Sequence, residues 1–382
     1  MDSDRIRETF IDFFAERGHL VLPSASLVPH GDPTLLFTSA GMVPFKPYFM
    51  GLAEAPAKRM ATVQKCFRTT DIEDVGDYSH LTLFEMLGNF SIGDYFKAEA
   101  IAWAWDLLTN GFKLPADKLS VTIFQTDEVA HDEWRGIGIP EERIHRFGED
   151  CNYWFSGDIG PCGPNSEIFF DRGVTPGCPA CADGSCKPNE PDCGRFLEVW
   201  NLVFMELYQG EGGVRTPLPA KNIDTGSGLE RMAVVLQGKD SIYETDLFAP
   251  ILERIEQLTA KTYGEIAAID TAMRIIADHT RAATFLITDG VMPANDGRGY
   301  VLRRILRRAV YFLTQLAPSG SDASGTLLDK VADAVIAKME RAYPDLRDRA
   351  DFVMRLLSAE ESKFRETLER GRAHLEGVLA EA

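Results

Sequence analysis

The stretch Asp224-Thr225-Gly226-Ser227-Gly228-Leu229-Glu230-Arg231 sets an acid, a run of small residues and an arginine side by side. Small residues let a ligand approach the backbone, and a helix start offers free N–H groups to an anion. Leu229, Met232, Ala233 and Leu236 recur at helical spacing, so the pattern predicts a glycine-rich turn leading into a helix. The competing reading is a tight strand-to-helix turn that holds nothing. Upstream, residues 196–207 read as strand, whereas residues 157–194, rich in Gly, Pro and Cys, read as loops or a small insertion. Downstream of Gly238 the character changes: residues 243–258, 266–287, 300–316 and 327–382 all carry helical periodicity. A chain of 382 residues exceeds what one hydrophobic core usually serves. The expected division is therefore an α+β part, residues 1–238, followed by an all-α part, residues 239–382.

Within the first part, residues 4–18 predict an amphipathic helix through Ile6, Phe10, Phe13 and Phe14, with Gly18 as its stop. Leu35-Leu36-Phe37 reads as a short buried strand. Residues 61–68 and 81–87 read as the strands of a hairpin whose long loop contains Asp71, Glu73, Asp74 and Asp77. Strand alternation would set His80, Thr82 and Phe84 on one side, beyond Arg68. An arginine for phosphate, a second polar or cationic group and an aromatic face for a purine make a nucleotide site. The alternative is that Phe84 is core and Arg68 a salt-bridged surface residue.

Charge points two ways. The net charge of -18 argues against nucleic acid, because phosphate affinity comes from lysine and arginine. Yet residues 298–320 hold Arg298, Arg303, Arg304, Arg307 and Arg308 and no acid, which predicts a basic surface on one helix. Neighbouring acids packed against that face would be the other reading. Cys178, Cys181, Cys186 and Cys193 have the spacing C-x2-C-x4-C-x6-C, compatible with a structural zinc, although Pro179, Pro188 and Pro191 break up the loop. The first ten residues lack an apolar signal core, and no apolar run reaches membrane-spanning length. The expectation is a cytoplasmic protein with no membrane partner.

Taken together, these segments resemble the three signature motifs of the class II aminoacyl-tRNA synthetases, and the match is densest with the alanyl-tRNA synthetase family. Leu36 to Met42 resembles the end of motif 1; Gln64 to Arg68, with Phe84 to Phe90, resembles motif 2; Asp224 to Arg231 resembles motif 3. Gly93-Asp94-Tyr95-Phe96-Lys97, Gly160-Pro161-Cys162-Gly163-Pro164, Glu198-Val199-Trp200-Asn201, Asp289-Gly290-Val291-Met292-Pro293 and Arg298 to Arg304 are similar to the same family. The likeness covers nearly the whole chain.

The resemblance implies an antiparallel six-stranded sheet flanked by helices that binds ATP with Mg2+, activates alanine as the adenylate and transfers it to the acceptor stem of tRNA(Ala). It assigns Arg68 to the α-phosphate, His80 toward the γ-phosphate, and Phe84, Met86, Gly228 and Arg231 to the nucleotide. Asp224 would pair with the ammonium of alanine, and Trp154, Val199, Asn201 and Gly226 would surround its side chain. Asn295, Arg298, Arg303, Arg304 and Arg307 would meet tRNA, with Asn295 reading the marker base pair. Leu81 and Leu83 depart from the family's more usual His and Phe. The family's editing domain would begin where this sequence ends, and its dimerisation region lies further on, so the fragment is expected to be a monomer. Two other functions fit the same motifs: an alanine-activating relative that delivers to a carrier protein, and a non-catalytic binding protein, which would normally lack a motif arginine.

Overall fold

The computed structural model of the chain describes residues 1–30, 35–175, 178–190, 193–317 and 325–381; Pro191, Gly320 and Ala382, which enter the sequence reading, lie outside them. Residues 1–25, 40–65 and 85–238 form one compact unit, and residues 26–39, 66–84 and 239–382 form a second.

The first unit is built on a sheet of β1 Leu20–Val21, β2 Arg59–Phe67, β3 Leu83–Ile92, β4 Leu119–Phe124, β5 Ile144–Phe147, β6 Tyr153–Phe155, β7 Gly160–Asp171, β8 Phe196–Gln209 and β9 Arg215–Gly228, the ends of β2 and β3 belonging to the second unit. Strand order is β1-β2-β3-β9-β8-β7-β4-β5, with β6 on β7. The middle is antiparallel from β3 through β9, β8 and β7 to β4. The outermost pairs, β1 with β2 and β4 with β5, are parallel. The α+β class holds, but the described sheet has nine strands instead of six and is not wholly antiparallel.

Sequence and structure part company where neighbours override local composition. Residues 157–194 are not merely loops, because Gly160–Asp171 is a continuous strand between β8 and β4. Gly163 is required there: a Cβ would sit 2.0 Å from the Phe204 carbonyl oxygen. A register irregularity between Cys162 and Asn165 absorbs Pro164, which has no N–H to give the ladder. The supposed turn at Asp224–Gly228 is the end of β9, with Asp224 opposite Phe90 of β3 and Val203 of β8. Conversely, Leu35-Leu36-Phe37 forms no strand; Leu36 is exposed, and only Phe37 is buried, against Phe67.

The helix Ser3–Ala15, capped by the Asp2 carboxylate accepting from Arg5 N–H, lays Phe10 and Phe14 on Trp200 of β8, ring centroids 5.7 and 6.3 Å away. A second apolar cluster joins Met42, Phe45, Phe49, Met60, Phe90, Val203 and Met205. In the second unit, Ala249–Thr259, Ala267–Thr288, Gly297–Leu316, Leu328–Met339 and Ala350–Glu381 are helices. The predicted helix over 243–258 starts only at Ala249, with Pro250 in its first turn. The predicted 327–382 helix is broken after Met339, and Pro344 opens a short turn before the chain continues from Ala350.

Candidate active site

The amino-acid half of the predicted site lies in the first unit. Asp224 is buried by its neighbours on both flanking strands, and among the described residues its carboxylate makes no hydrogen bond or ion pair. Burial alone pushes it up to about 7. Burial without a counter-charge favours the neutral form of a carboxyl group, and a cation that paired with it would stabilise the ionised form. Trp154, on β6 opposite Gly163, packs against the cluster that contains Phe90 and Val203, the register neighbours of Asp224. Val199 is buried, and its carbonyl accepts from Ser227 Oγ at 2.6 Å, which ties β8 to β9. Gly226 admits Met86: a Cβ there would meet Met86 Sδ at 2.7 Å, and the same sulfur accepts from Gly41 N–H at 3.1 Å.

Asn201 belongs to a polar network that the sequence reading missed. Its Nδ2 donates to Glu167 Oε1 at 3.0 Å, and its Oδ1 accepts from Asn165 Nδ2 at 2.9 Å. Burial, and then the Glu198 carboxylate, push Glu167 up to about 8. Both ends of the Asn201 amide are thereby held in one orientation. Only strand pairing could reveal this, because Glu167 faces Asn201 across the β7–β8 register. Arg231, on the helix Leu229–Gln237 that begins after Gly228, donates from Nη1 to Glu198 Oε2 at 2.7 Å.

Arg68, His80 and Phe84, predicted to serve the nucleotide, lie in the second unit. Arg68 follows β2; its Nε donates to Ser39 O at 3.1 Å and its guanidinium lies 4.8 Å from the Phe84 ring centroid. It lines a cavity of about 560 Å³ with Leu36, Phe37, Ser39, Thr70 and Asp71. His80, Thr82 and Phe84 do not share a strand face, since β3 begins only at Leu83. His80 is exposed, its Nδ1 2.5 Å from Asp77 Oδ2. Burial opposes ionisation of Asp77, but the His80 and Ser79 N–H groups and the His80 ring hold it below the usual carboxylate range. Thr82 is turned into the core.

On the helix Gly297–Leu316 the arginines divide. Arg303 donates to Asn295 Oδ1 at 2.5 Å and to Pro293 O at 3.2 Å, and pairs with Glu360. Arg304 and Arg308 both pair with Glu73. Arg298 donates to the carbonyls of Leu36 and Leu35 at 2.5 and 3.3 Å. Arg307 is exposed, near the Phe364 ring. The segment without acids therefore receives its acids from elsewhere in the chain. At the cysteine loop, the sulfurs of Cys178, Cys181, Cys186 and Cys193 all lie within 4.8 Å of one another.

The mixed sheet thus carries a buried acid, Asp224, without a counter-charge among the described residues, and the same chain carries the motif arginines Arg68 and Arg231. A family model described as tRNA synthetases class II (A) matches residues 5–382, and the chain belongs to that family. Among curated relatives, Alanine--tRNA ligase of Dehalococcoides mccartyi (strain CBDB1) is 52% identical over 379 residues, covering 99% of this chain and 42% of that protein. Alanine--tRNA ligase of Desulforamulus reducens is 50% identical over 381 residues, with the same coverage of each. The chain thus spans 42% of the length of these relatives. Among solved structures, apo S. aureus histidyl-tRNA synthetase matches at 13% identity and a TM-score of 0.39, over 66% of this chain and 75% of that one.

Proposed function

We propose that the chain activates alanine with ATP to alanyl-adenylate and passes the alanyl group to the acceptor stem of tRNA(Ala). The observation that carries this reading is Asp224, a buried carboxylate with no partner of its own among the described residues, which an α-ammonium would neutralise. Trp154, Val199, Asn201 and Gly226 bound the side chain, and a tryptophan wall excludes larger amino acids. Arg68 takes the α-phosphate as the alanine carboxylate attacks it; Phe84, Met86, Gly228 and Arg231 take the nucleotide, and His80 serves the γ-phosphate. Family membership implies ATP and magnesium. Attack at the α-phosphorus expels pyrophosphate, and because negative charge builds on the phosphoryl oxygens and the leaving group in that transition state, positioned cations supply most of the catalysis.

Residues 1–238 perform activation, and residues 239–382 recognise tRNA through Asn295, Arg298, Arg303, Arg304 and Arg307. Phosphates would displace Glu73 from Arg304, an exchange of one anion for another. The four cysteines fit a structural zinc, since their sulfurs converge within 4.8 Å and thiolates are soft ligands. Zinc would brace the loop between β7 and β8 and take no part in the reaction. The test is alanine-dependent exchange of pyrophosphate into ATP, beside glycine and serine, followed by tRNA charging. Strong exchange with alanine and formation of alanyl-tRNA are expected; no exchange with any amino acid overturns the reading, and exchange without charging favours a different acceptor.

A further inference from the structure

The helix Ala267–Thr288 is buried along most of its length and largely apolar, yet it carries Arg274, Asp278 and Arg281 at i, i+4 and i+7, a spacing that sets them on one face. Buried charges cost desolvation unless each is paired, so their partners are informative. Arg274 Nε donates to Tyr263 Oη at 2.7 Å, but each of the three also reaches a successive point on the segment that joins Arg68 to Phe84. Arg274 Nη1 donates to Gly76 O at 3.2 Å, and its guanidinium lies 4.2 Å from the Tyr78 ring centroid. Asp278 Oδ1 accepts from Thr82 N–H at 2.9 Å, and Oδ2 accepts from Thr82 Oγ1 at 2.6 Å. Arg281 Nη1 donates to Leu83 O at 2.9 Å. The last link reaches the proposed phosphate ligand: Thr82 O accepts from Arg68 N–H at 2.9 Å. Gly76, at φ +127°, lets the loop press on the helix, where a Cβ would meet Thr271 Cγ2 at 2.9 Å. Asp278 Oδ2 also meets His279 Nδ1 at 2.9 Å, so that oxygen serves Thr82 and its own helix together.

We infer that this charged face is the element that positions Arg68 for phosphate, with Asp278 as its central positioning residue acting through Thr82. The inference rests on the reading of Arg68 as the phosphate ligand. A helix that merely anchored the loop would need apolar contact only; the Asp278–Thr82 pair instead fixes the carbonyl on which the Arg68 backbone hangs. Thr82→Val removes one hydroxyl with little change in volume and leaves the Thr82 N–H bond. Asp278→Asn is the harsher probe. Both are compared with the unaltered chain in calorimetric titration with magnesium–ATP, in thermal unfolding, and in the ATP and alanine KM values of pyrophosphate exchange.

Loss of a hydrogen bond to a charged acceptor should weaken ATP about tenfold in each variant. The alanine KM should stay within about twofold in the same variants, since Asp224 is untouched. Thr82→Ser, which keeps the hydroxyl, should restore ATP affinity. An ATP Kd unchanged in Thr82→Val, or a fall in melting temperature with no change in ATP binding, overturns the inference. If Asp278→Asn does not fold, Thr82→Val decides alone. Unaltered chain that binds ATP but shows no alanine-dependent exchange rejects the alanine reading while the ATP comparison still decides this one; failure to bind ATP rejects both.

Discussion

Replacing Asp224 by asparagine should make the protein more stable and less able to bind alanine. Asp224 is buried, and its carboxyl is held at about 7 against an ordinary value of 3.8. The unfolded chain therefore ionises from about pH 4 upward, whereas the folded chain resists until about pH 7. For an acid whose folded pKa is raised, the penalty on the fold is absent below the unfolded value, grows between the two, and is complete above the folded one. Three pH units at about 1.4 kcal/mol each give an upper bound of roughly 4 kcal/mol at pH 8. Asparagine has nearly the same shape and cannot ionise, so Asp224→Asn should raise the melting temperature at pH 8 by several degrees and leave it unchanged near pH 4. The same substitution leaves the alanine ammonium without its counter-charge. Breaking one side of a buried pair costs about 3–5 kcal/mol, which is roughly 100-fold or more in affinity. Thermal unfolding at the two pH values reads the first effect, and the alanine and ATP KM values in pyrophosphate exchange read the second. Equal rises in both KM values, or a lower melting temperature at pH 8, would refute the assignment of Asp224 as an unpartnered receptor.

Other substitutions separate the proposed functions. Asn295→Ala should spare adenylate formation and slow tRNA charging; Arg303→Leu, which withdraws the donor from Asn295 Oδ1, should do the same, and a loss of pyrophosphate exchange in either would misplace them. Elemental analysis of the purified chain should find one zinc, and Cys181→Ser should lose it and lower the melting temperature; a metal-free chain of unchanged stability in the presence of chelator would remove the zinc. Gly163→Ala should destabilise by roughly 1–3 kcal/mol through overpacking against β8, and an unaltered unfolding midpoint would contradict the close approach of the two strands.

The helices over 267–288 and 297–316 were legible in the sequence within a residue or a few, because helical periodicity is a local property and their apolar positions repeat along one chain segment. The motif residues Arg68, Asp224 and Arg231 stood out for a different reason: a resemblance reads residue identities directly and needs no geometry. What sequence could not supply was partnership. β7 opens with glycines and prolines that locally favour loops, and this part is strand only because its neighbours offer their hydrogen-bonding edges. The end of β9 read as a turn for the same reason. The arginines of 297–316 looked like an uninterrupted basic stripe until Glu73 and Glu360, distant along the chain, arrived to pair with them. The partnerships of Glu167 and Asp278 were invisible because a single carboxylate has no meaning until its donors are known. Sequence determined which chemical groups the chain carries and the elements that short-range spacing can specify. Tertiary structure decided which groups meet, because hydrogen bonds and ion pairs depend on distances between segments that no local pattern encodes.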